Sequence, residues 1–359
     1  MGKSNPCCPT LQVHGEDIDL VENDKYLGNV IATTIQSNGS NQLNINKRKG
    51  TAMGVKSQIM LILKTVSLGH HYFEIAVLLR ESLLISSSLF NAEVWYALTK
   101  AQVGELEEID RSLLRQVIGD CPVSVPGEGL YLEMGICPIS WILKARRGVF
   151  LHYLVTLSEE QMLSRFFWAQ WKNPVRGDWT ETVKKDLQDL EMNVDLDQIR
   201  KIKKEPFKSL VKKACRKAAF NFLIGKKNEH SKMRNLTYTD LSMQDYLSSS
   251  KIHPGKAKIL FLARVRMLRV SNNYRQSNAD LNCPVCSASE IDEPKHLDDQ
   301  HHLLHCVKLV DTPPVATNGN CCKYEDIFSN NIDAMGAVAD ELEKSLNKRD
   351  NILAKKQVC

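Results

Sequence analysis

The sequence has no long uninterrupted apolar run and no charged-then-apolar leader. Its longest apolar stretch, residues 72–98, is broken by charged side chains such as Glu74, Arg80 and Glu93. A bilayer-spanning helix needs about 20 consecutive, predominantly apolar residues. The stretch therefore predicts a core helix or helix pair, and we expect no membrane partner. The lack of a secretory leader predicts a nuclear or cytoplasmic location.

Common catalytic motifs are also missing. The sequence contains no HExxH, GxSxG or Walker A pattern. Its only Asp-Asp pair, Asp298-Asp299, lies in a segment of loop character. Two-metal catalysis holds two ions about 4 Å apart between firmly placed carboxylates, and no predicted strand offers such carboxylates. We therefore assign no catalytic residue.

Cysteine is present in an odd number, eleven, which speaks against a complete disulfide framework. Intracellular thiols are usually reduced, so a cluster of cysteines there favours metal binding. Such a cluster lies within 40 residues, together with four of the ten histidines. Its cysteines are Cys283, Cys286, Cys306, Cys321 and Cys322.

The overall composition is that of a globular protein. A chain of 359 residues with 43% hydrophobic and 25% charged residues predicts two or three domains. β-branched residues with turn signals at His14-Gly15 and Asn23-Asp24 predict a small N-terminal antiparallel β-meander. Beyond it, apolar residues recur at helical spacing. The predicted fold class is therefore mostly α, with the meander followed by a multi-helix array and a small Cys/His zinc element.

Some helix boundaries follow from capping patterns. Thr99 and Gln102 have capping-box spacing, and Gly119 is a helix stop, so we predict a helix between them. Residues 120–137 are rich in glycine and proline and predict a connecting loop. Pro138 suits the first turn of the helix that follows.

Positive charge is concentrated in residues 200–275. This segment has 20 Lys and Arg against four Asp and Glu, a net charge of +16, whereas the whole chain carries +5. Two amphipathic helices are predicted within it, at 207–223 and 255–270. An excess of this size favours a polyanionic partner, RNA or DNA held by its backbone. The predicted contacts are Lys208, Lys212, Lys213, Arg216, Lys217, Lys258, Arg264, Arg266 and Arg269.

Aromatic residues are interleaved with these cations. We assign them to the core rather than to base stacking. They are Phe207, Phe220, Phe222 and Phe261.

Four residues have the spacing of a structural zinc site. Cys283 and Cys286 form a Cys-x2-Cys knuckle, and His302 with Cys306 supplies a second pair on one face of a short helix. His302 is preferred because Leu303 and Leu304 can then pack that helix. His301 remains the alternative ligand.

Seven short runs, taken in order, resemble the C-terminal part of animal non-LTR retrotransposon reverse transcriptases. The similarity covers about residues 5 to 286. The runs are KYLG (25–28), GHHYF (69–73), RESLL (80–84), ELEEIDR (105–111), YLEMG (131–135), KARR (144–147) and AQWKNP (169–174).

The resemblance implies a domain order. Residues 1–35 would be terminal palm-like strands and 50–175 a thumb-like helical domain. Residues 176–275 would be a basic helical linker, followed by the Cys/His zinc element at 280–310. Residues 311–359 lie beyond the resemblance, and we predict a polar, partly disordered tail there. The catalytic aspartate motifs of the family are absent from this chain. Mg²⁺ is therefore implied only if a catalytic palm is present elsewhere.

The function implied is a nucleic-acid-binding fragment of an RNA-directed DNA polymerase that does not polymerise alone. An upstream polymerase segment is an additional candidate partner. Two alternatives stay open: a zinc-containing protein-interaction module derived from a retroelement, and a non-functional relic.

Overall fold

A computed structural model shows a mostly helical protein. It describes residues 38–119, 121–193, 195–268 and 323–357, the short stretches 12–13, 16–17, 23–26, 29–32, 282–283 and 300–306, and Val270, Val285 and Leu309. None of the described helices combines the length and the apolar character that crossing a bilayer requires.

The predicted N-terminal β-meander is wrong. The only strand pairings in the described N-terminal stretches are two separate short hairpins. β1 (Gln12–Val13) pairs with β2 (Glu16–Asp17), and β3 (Asn23–Tyr26) pairs with β4 (Asn29–Ala32), both antiparallel. Neither hairpin pairs with the other. Two-stranded hairpins of this length cannot form the sheet that a meander requires.

The first helical group begins with α1 (Asn38–Thr65). Its buried residues Ile45, Ala52 and Ile59 recur every seven residues and pack toward α4 (Lys100–Ile118). Between them lie α2 (Tyr72–Leu79), a π-helical turn (Arg80–Ile85) and α3 (Ser86–Ser88). Of the two predicted alternatives, a core helix or a helix pair, the structure shows one helix with a π-helical turn over residues 72–88.

The ends of α4 confirm the capping prediction. Thr99 accepts a hydrogen bond from the Gln102 backbone N–H, and the Gln102 side chain accepts one from the Thr99 N–H. The helix ends at Ile118, before Gly119.

Residues 120–137 differ from the predicted loop, because α5 (Gly127–Met134) forms within them. All but its first two residues are buried.

A second group surrounds α6 (Ile139–Thr156), which packs against α4 and four later helices. These are α7 (Met162–Lys172), α8 (Trp179–Asp189), α9 (Leu196–Lys201) and α10 (Lys204–Glu229). Most of their apolar side chains join one continuous core with α1, α2, α4 and α5. The central position of α6 thus fixes the location of α10.

The C-terminal group comprises α11 (Asp245–Ser248), α12 (Pro254–Arg264), α13 (Gln300–Leu303) and α14 (Ile332–Gln357). α14 lies in the segment assigned to a polar tail. It instead packs against α12 and buries Val338, Ala339 and Leu342. The tail assignment over residues 311–359 is therefore wrong for α14.

Candidate nucleic-acid interface and metal centre

Helix α10 has two different sides. Phe207, Val211 and Cys215 are buried at spacings of four residues and pack the helix against α6 and α5. The opposite side is exposed and carries the lysines. The helix therefore presents several cations on a side whose opposite face is anchored in the core.

Four of the predicted contact residues lie on this exposed side, which we call the α10 lysine face: Lys208, Lys212, Lys213 and Lys217. Lys208 lies 3.8 Å from the Glu205 carboxylate, and Lys217 lies 2.8 Å from that of Glu191. All four of these side chains are more than half exposed, so each pair is worth little and can exchange for a phosphate.

Arg216 lies one turn beyond Lys212 on α10 and is half-buried. Its Nη2 donates hydrogen bonds to the carbonyl oxygens of Gly135 and Leu241. These contacts join α10 to the end of α5 and to the segment before α11. Arg216 therefore has a positioning role in addition to its charge.

Arg264 is not available to a nucleic acid, and its assignment as a contact is wrong. It is 4% exposed, and its Nε donates to both oxygens of the buried Glu133 carboxylate at 3.1 Å. Burial alone lowers the pKa of Arg264, but Glu133, Tyr246 and Tyr238 outweigh it, so the pKa is raised. This arginine is a charged core residue.

Among the described residues, the remaining cations do not form a second exposed strip. The helix predicted at 255–270 ends at Arg264, and Arg266 follows in the left-handed region with φ 53°. Lys258 is half-buried, with its Nζ 4.6 Å from the centre of the Tyr72 ring. Arg269 lies outside the described residues.

The four phenylalanines divide into two kinds. Phe207 and Phe261 are buried in the core, as predicted. Phe222 is 44% exposed, and half-buried Phe220 lines a surface cavity. The core assignment is therefore wrong for Phe222 and incomplete for Phe220. Apolar spacing alone gave no signal that distinguishes them.

Three of the four predicted zinc ligands come together. The ligand atoms of Cys283, His302 and Cys306 all lie within 4.8 Å of one another. His302 is near the end of α13, and the Cys306 N–H donates to the His302 carbonyl at 2.7 Å, so one helical turn aligns the pair. Leu303 and Leu304 are 1% and 2% exposed, as predicted. These three residues could hold a metal ion.

The fourth predicted ligand, Cys286, lies outside the described residues, as does the side chain of the alternative ligand His301. Two sulfur atoms and one imidazole nitrogen are a donor set that a borderline-soft metal ion prefers. The buried positions of Cys283 and Cys306 place these donors away from bulk water.

Sequence reasoning missed a buried carboxylate. Glu133 is fully buried and accepts hydrogen bonds from Tyr238 Oη at 2.7 Å and Tyr246 Oη at 2.8 Å, as well as from Arg264. A lone Glu in an apolar run can indicate a buried ion pair. The sequence does not show which residue is its partner. The contact is structural and places α5 against α11 and α12.

Comparison of the chain with protein-family models, curated proteins and solved structures finds no match.

Proposed function

We propose that this protein binds RNA or DNA through phosphate contacts made by the α10 lysine face. The observation that carries the proposal is the arrangement of four exposed lysines on one helix whose other side is buried. From Lys208 to Lys217 the helix rises about 13.5 Å. At 3.6 residues per turn the lysines form two pairs, Lys208 with Lys212 and Lys213 with Lys217, at the two edges of the exposed side. This side is therefore broad enough to meet more than one phosphate of a strand that crosses it.

The charge around the α10 lysine face favours the same partner. Residues 196–217 contain nine Lys and Arg and two Asp and Glu. Such a surface attracts polyanions over several ångströms, and the attraction falls with ionic strength. Contacts to phosphates position a strand without reading its sequence. We therefore propose binding with little sequence preference.

Salt dependence gives a quantitative test. If each lysine neutralises one phosphate, the logarithm of duplex affinity falls with the logarithm of salt concentration with a slope of about −3.6. Affinity for a fluorescent RNA–DNA hybrid should then fall roughly 100-fold between 50 and 200 mM salt. Fluorescence anisotropy at the two salt concentrations measures this. Affinity that does not change with salt would refute the proposal.

A double substitution on α10 tests the location of the site. Lys212→Ala with Lys213→Ala should reduce the salt slope by about 2. The matched control is Lys344→Ala with Lys348→Ala, which removes the same charge from exposed positions on α14. An equal loss in both variants would mean that bulk charge, and not the α10 lysine face, holds the nucleic acid.

We further propose that the binding surface belongs to the C-terminal region of a non-LTR reverse transcriptase. Support comes from the packing of the runs that carry the resemblance. Arg80 of RESLL donates two hydrogen bonds of 2.6 Å to Asp110 of ELEEIDR. Tyr131 of YLEMG donates to the same carboxylate at 3.2 Å. Three runs thus meet in one buried cluster, which is the behaviour expected of parts of one domain.

Zinc is the ion we propose for Cys283, His302 and Cys306, with Cys286 as the fourth ligand. Four-coordinate Cys3His sites are a standard structural arrangement for zinc. In this protein the ion would tie the segment around Cys283 to α13.

A second candidate function is protein interaction, which one surface favours. Met162, Leu163 and Phe166 on α7 are 72%, 47% and 63% exposed, and exposed apolar clusters often mark interaction sites. In that case Lys212→Ala with Lys213→Ala would leave nucleic-acid affinity unchanged, whereas Phe166→Ser would abolish capture of the protein partner.

A further inference from the structure

A surface cavity of about 310 Å³ lies beside the α10 lysine face. One wall is α10, which contributes Arg216, Lys217 and Phe220, and the other is the segment 239–242. Ligand cavities for small molecules span roughly 300–1,000 Å³. This one therefore has room for a single small ligand.

The α10 wall supplies positive charge at a defined position. Lys217 belongs to both the lysine face and the cavity, so a strand following the face reaches the cavity opening. The Arg216 guanidinium is held by its two carbonyl contacts. Its other nitrogens have no acceptor in the part of the chain that the structure describes, and they can donate to a phosphate or a base edge.

The same wall supplies an aromatic surface. Phe220 is half-buried, and its buried part packs against the core, which fixes the ring. Stacking on an aromatic side chain is how proteins hold unpaired bases without requiring a particular sequence. A fixed ring next to cations is the combination that this recognition uses.

The opposite wall carries polar groups. Asp240 and Ser242 are exposed and line the cavity. A carboxylate accepts hydrogen bonds from the N–H groups of a base, and a hydroxyl can donate or accept. The negative charge of Asp240 disfavours a bare inorganic anion, whereas a nucleotide can place its phosphate at Lys217 and its base toward Asp240.

We propose that this cavity binds one unpaired nucleotide of a single-stranded RNA or DNA whose backbone lies along α10, with the base stacked on Phe220. The proposal rests on the proposed function of the α10 lysine face. It adds a preference for single strands that phosphate contacts alone would not give.

The test compares Phe220→Leu with Phe222→Leu. Both remove a ring from α10 and keep apolar volume, but only Phe220 lines the cavity. Affinities for a fluorescent 20-nucleotide single strand and for a duplex of the same length are measured by anisotropy. Phe220→Leu should weaken single-strand binding at least about fivefold and change duplex binding less than twofold. Phe222→Leu should change neither.

Further measurements separate base stacking from loss of the fold and from binding of phosphate alone. Phe220→Trp keeps an aromatic face and should retain single-strand affinity, and thermal unfolding of each variant shows whether the fold is intact. Free uridine monophosphate should compete with the single strand in the wild type and not in Phe220→Leu, whereas inorganic phosphate at the same concentration should not compete.

Two failures are distinguishable. If wild type binds neither probe, the proposed function of the lysine face fails as well. If wild type binds both probes and Phe220→Leu alters neither affinity, or weakens both equally in a folded variant, the cavity proposal alone is overturned.

Discussion

Glu133 is a fully buried carboxylate in the middle of the helical core. Its partners come from three other segments: Tyr238, Tyr246 and Arg264. Burial in the first place, and the charge of Glu133 in the second, raise the pKa of Tyr246, so this tyrosine stays a neutral donor. Each hydrogen bond that the buried carboxylate accepts offsets part of the free-energy cost of its desolvation.

Removing the Glu133 charge should therefore destabilise the protein strongly. Glu133→Gln leaves the Arg264 guanidinium buried without a counter-charge, and we expect a loss of about 3–5 kcal/mol in the free energy of unfolding. Urea denaturation measures it. The control is Glu128→Gln on the same helix, whose carboxylate lies 3.5 Å from His230 near the surface and should contribute less than about 1 kcal/mol. Equal effects in the two variants would contradict a special role for the buried pair.

Cysteine reactivity should differ sharply between three described thiols. Hydrogen bonding between the Cys137 and Cys215 side chains, together with the charges of Arg216 and Arg80, lowers the pKa of Cys137, despite burial. Burial raises the pKa of Cys121 to about 12, and the hydrogen bond to Cys137 together with burial raises that of Cys215. Since the thiolate is the nucleophile, a low pKa gives Cys137 the largest thiolate fraction at neutral pH.

We expect Cys137 to be alkylated by iodoacetamide before Cys121 and Cys215 at pH 7.5. Cys137 is also the most exposed of the three. Peptide mass mapping after short reaction times gives the order. Modification of Cys121 ahead of Cys137 would show that the pKa order is wrong.

At the scale of elements, the end of α5 depends on a glycine. Gly135 has φ +65°, and a Cβ placed there would lie 2.1 Å from the backbone nitrogen of Met243 and the carbonyl carbon of Ser242. The backbone of segment 239–242 can approach α5 only because this side chain is missing. The same approach lets Arg216 reach both Gly135 and Leu241.

Gly135→Ala should therefore lower the free energy of unfolding by more than the cost of the left-handed backbone conformation alone. A left-handed residue with a Cβ costs about 1–2 kcal/mol, and we expect Gly135→Ala to exceed about 2 kcal/mol because backbone atoms must also move. Gly177→Ala is the matched control, since Gly177 has φ +79° with nothing within 4 Å of its Cβ position. Thermal and urea unfolding compare the two. A loss at Gly135 no larger than that at Gly177 would contradict the close approach.

Helix ends could be predicted where the residues that define them are close together in the sequence. The capping box and Gly119 define α4 because the interactions lie within one turn of each end. The helix predicted from residue 255 ends at Arg264, and Arg266 follows with a positive φ of 53°. The Arg264 side chain pairs with Glu133, 131 residues away, and no local pattern shows that contact. α5 forms despite its glycines because tertiary packing buries Leu130, Leu132 and Met134.

At the scale of the whole molecule, the candidate sites differ in how far sequence could define them. The α10 lysine face follows from a helical period that separates apolar from charged residues, so its four lysines are exposed as expected. Arg264 is likewise a cation interleaved with apolar residues, yet it lies in the core. The net charge of a segment does not show which of its residues are buried. The cavity beside Phe220 depends on how segment 239–242 meets α10, which only the tertiary structure defines.

The metal centre gives the last prediction. Cys283 and Cys306 lie 23 positions apart, and a bound ion would close the chain between them, so binding energy becomes folding energy for this part of the protein. We expect the purified chain to contain one zinc ion, measured by inductively coupled plasma mass spectrometry. Cys306→Ala should lose the ion, and a chelator should lower the unfolding midpoint of the wild type.

Cys121→Ala is the matched control, because it removes a buried thiol outside the cluster and should keep the zinc. In Cys306→Ala the chelator should have no further effect on the midpoint, since the ion is already absent. Zinc content that is equal in Cys306→Ala and Cys121→Ala would refute the site. A chelator that removes zinc from the wild type without changing its stability would instead show that the ion does not hold α13 to the segment around Cys283.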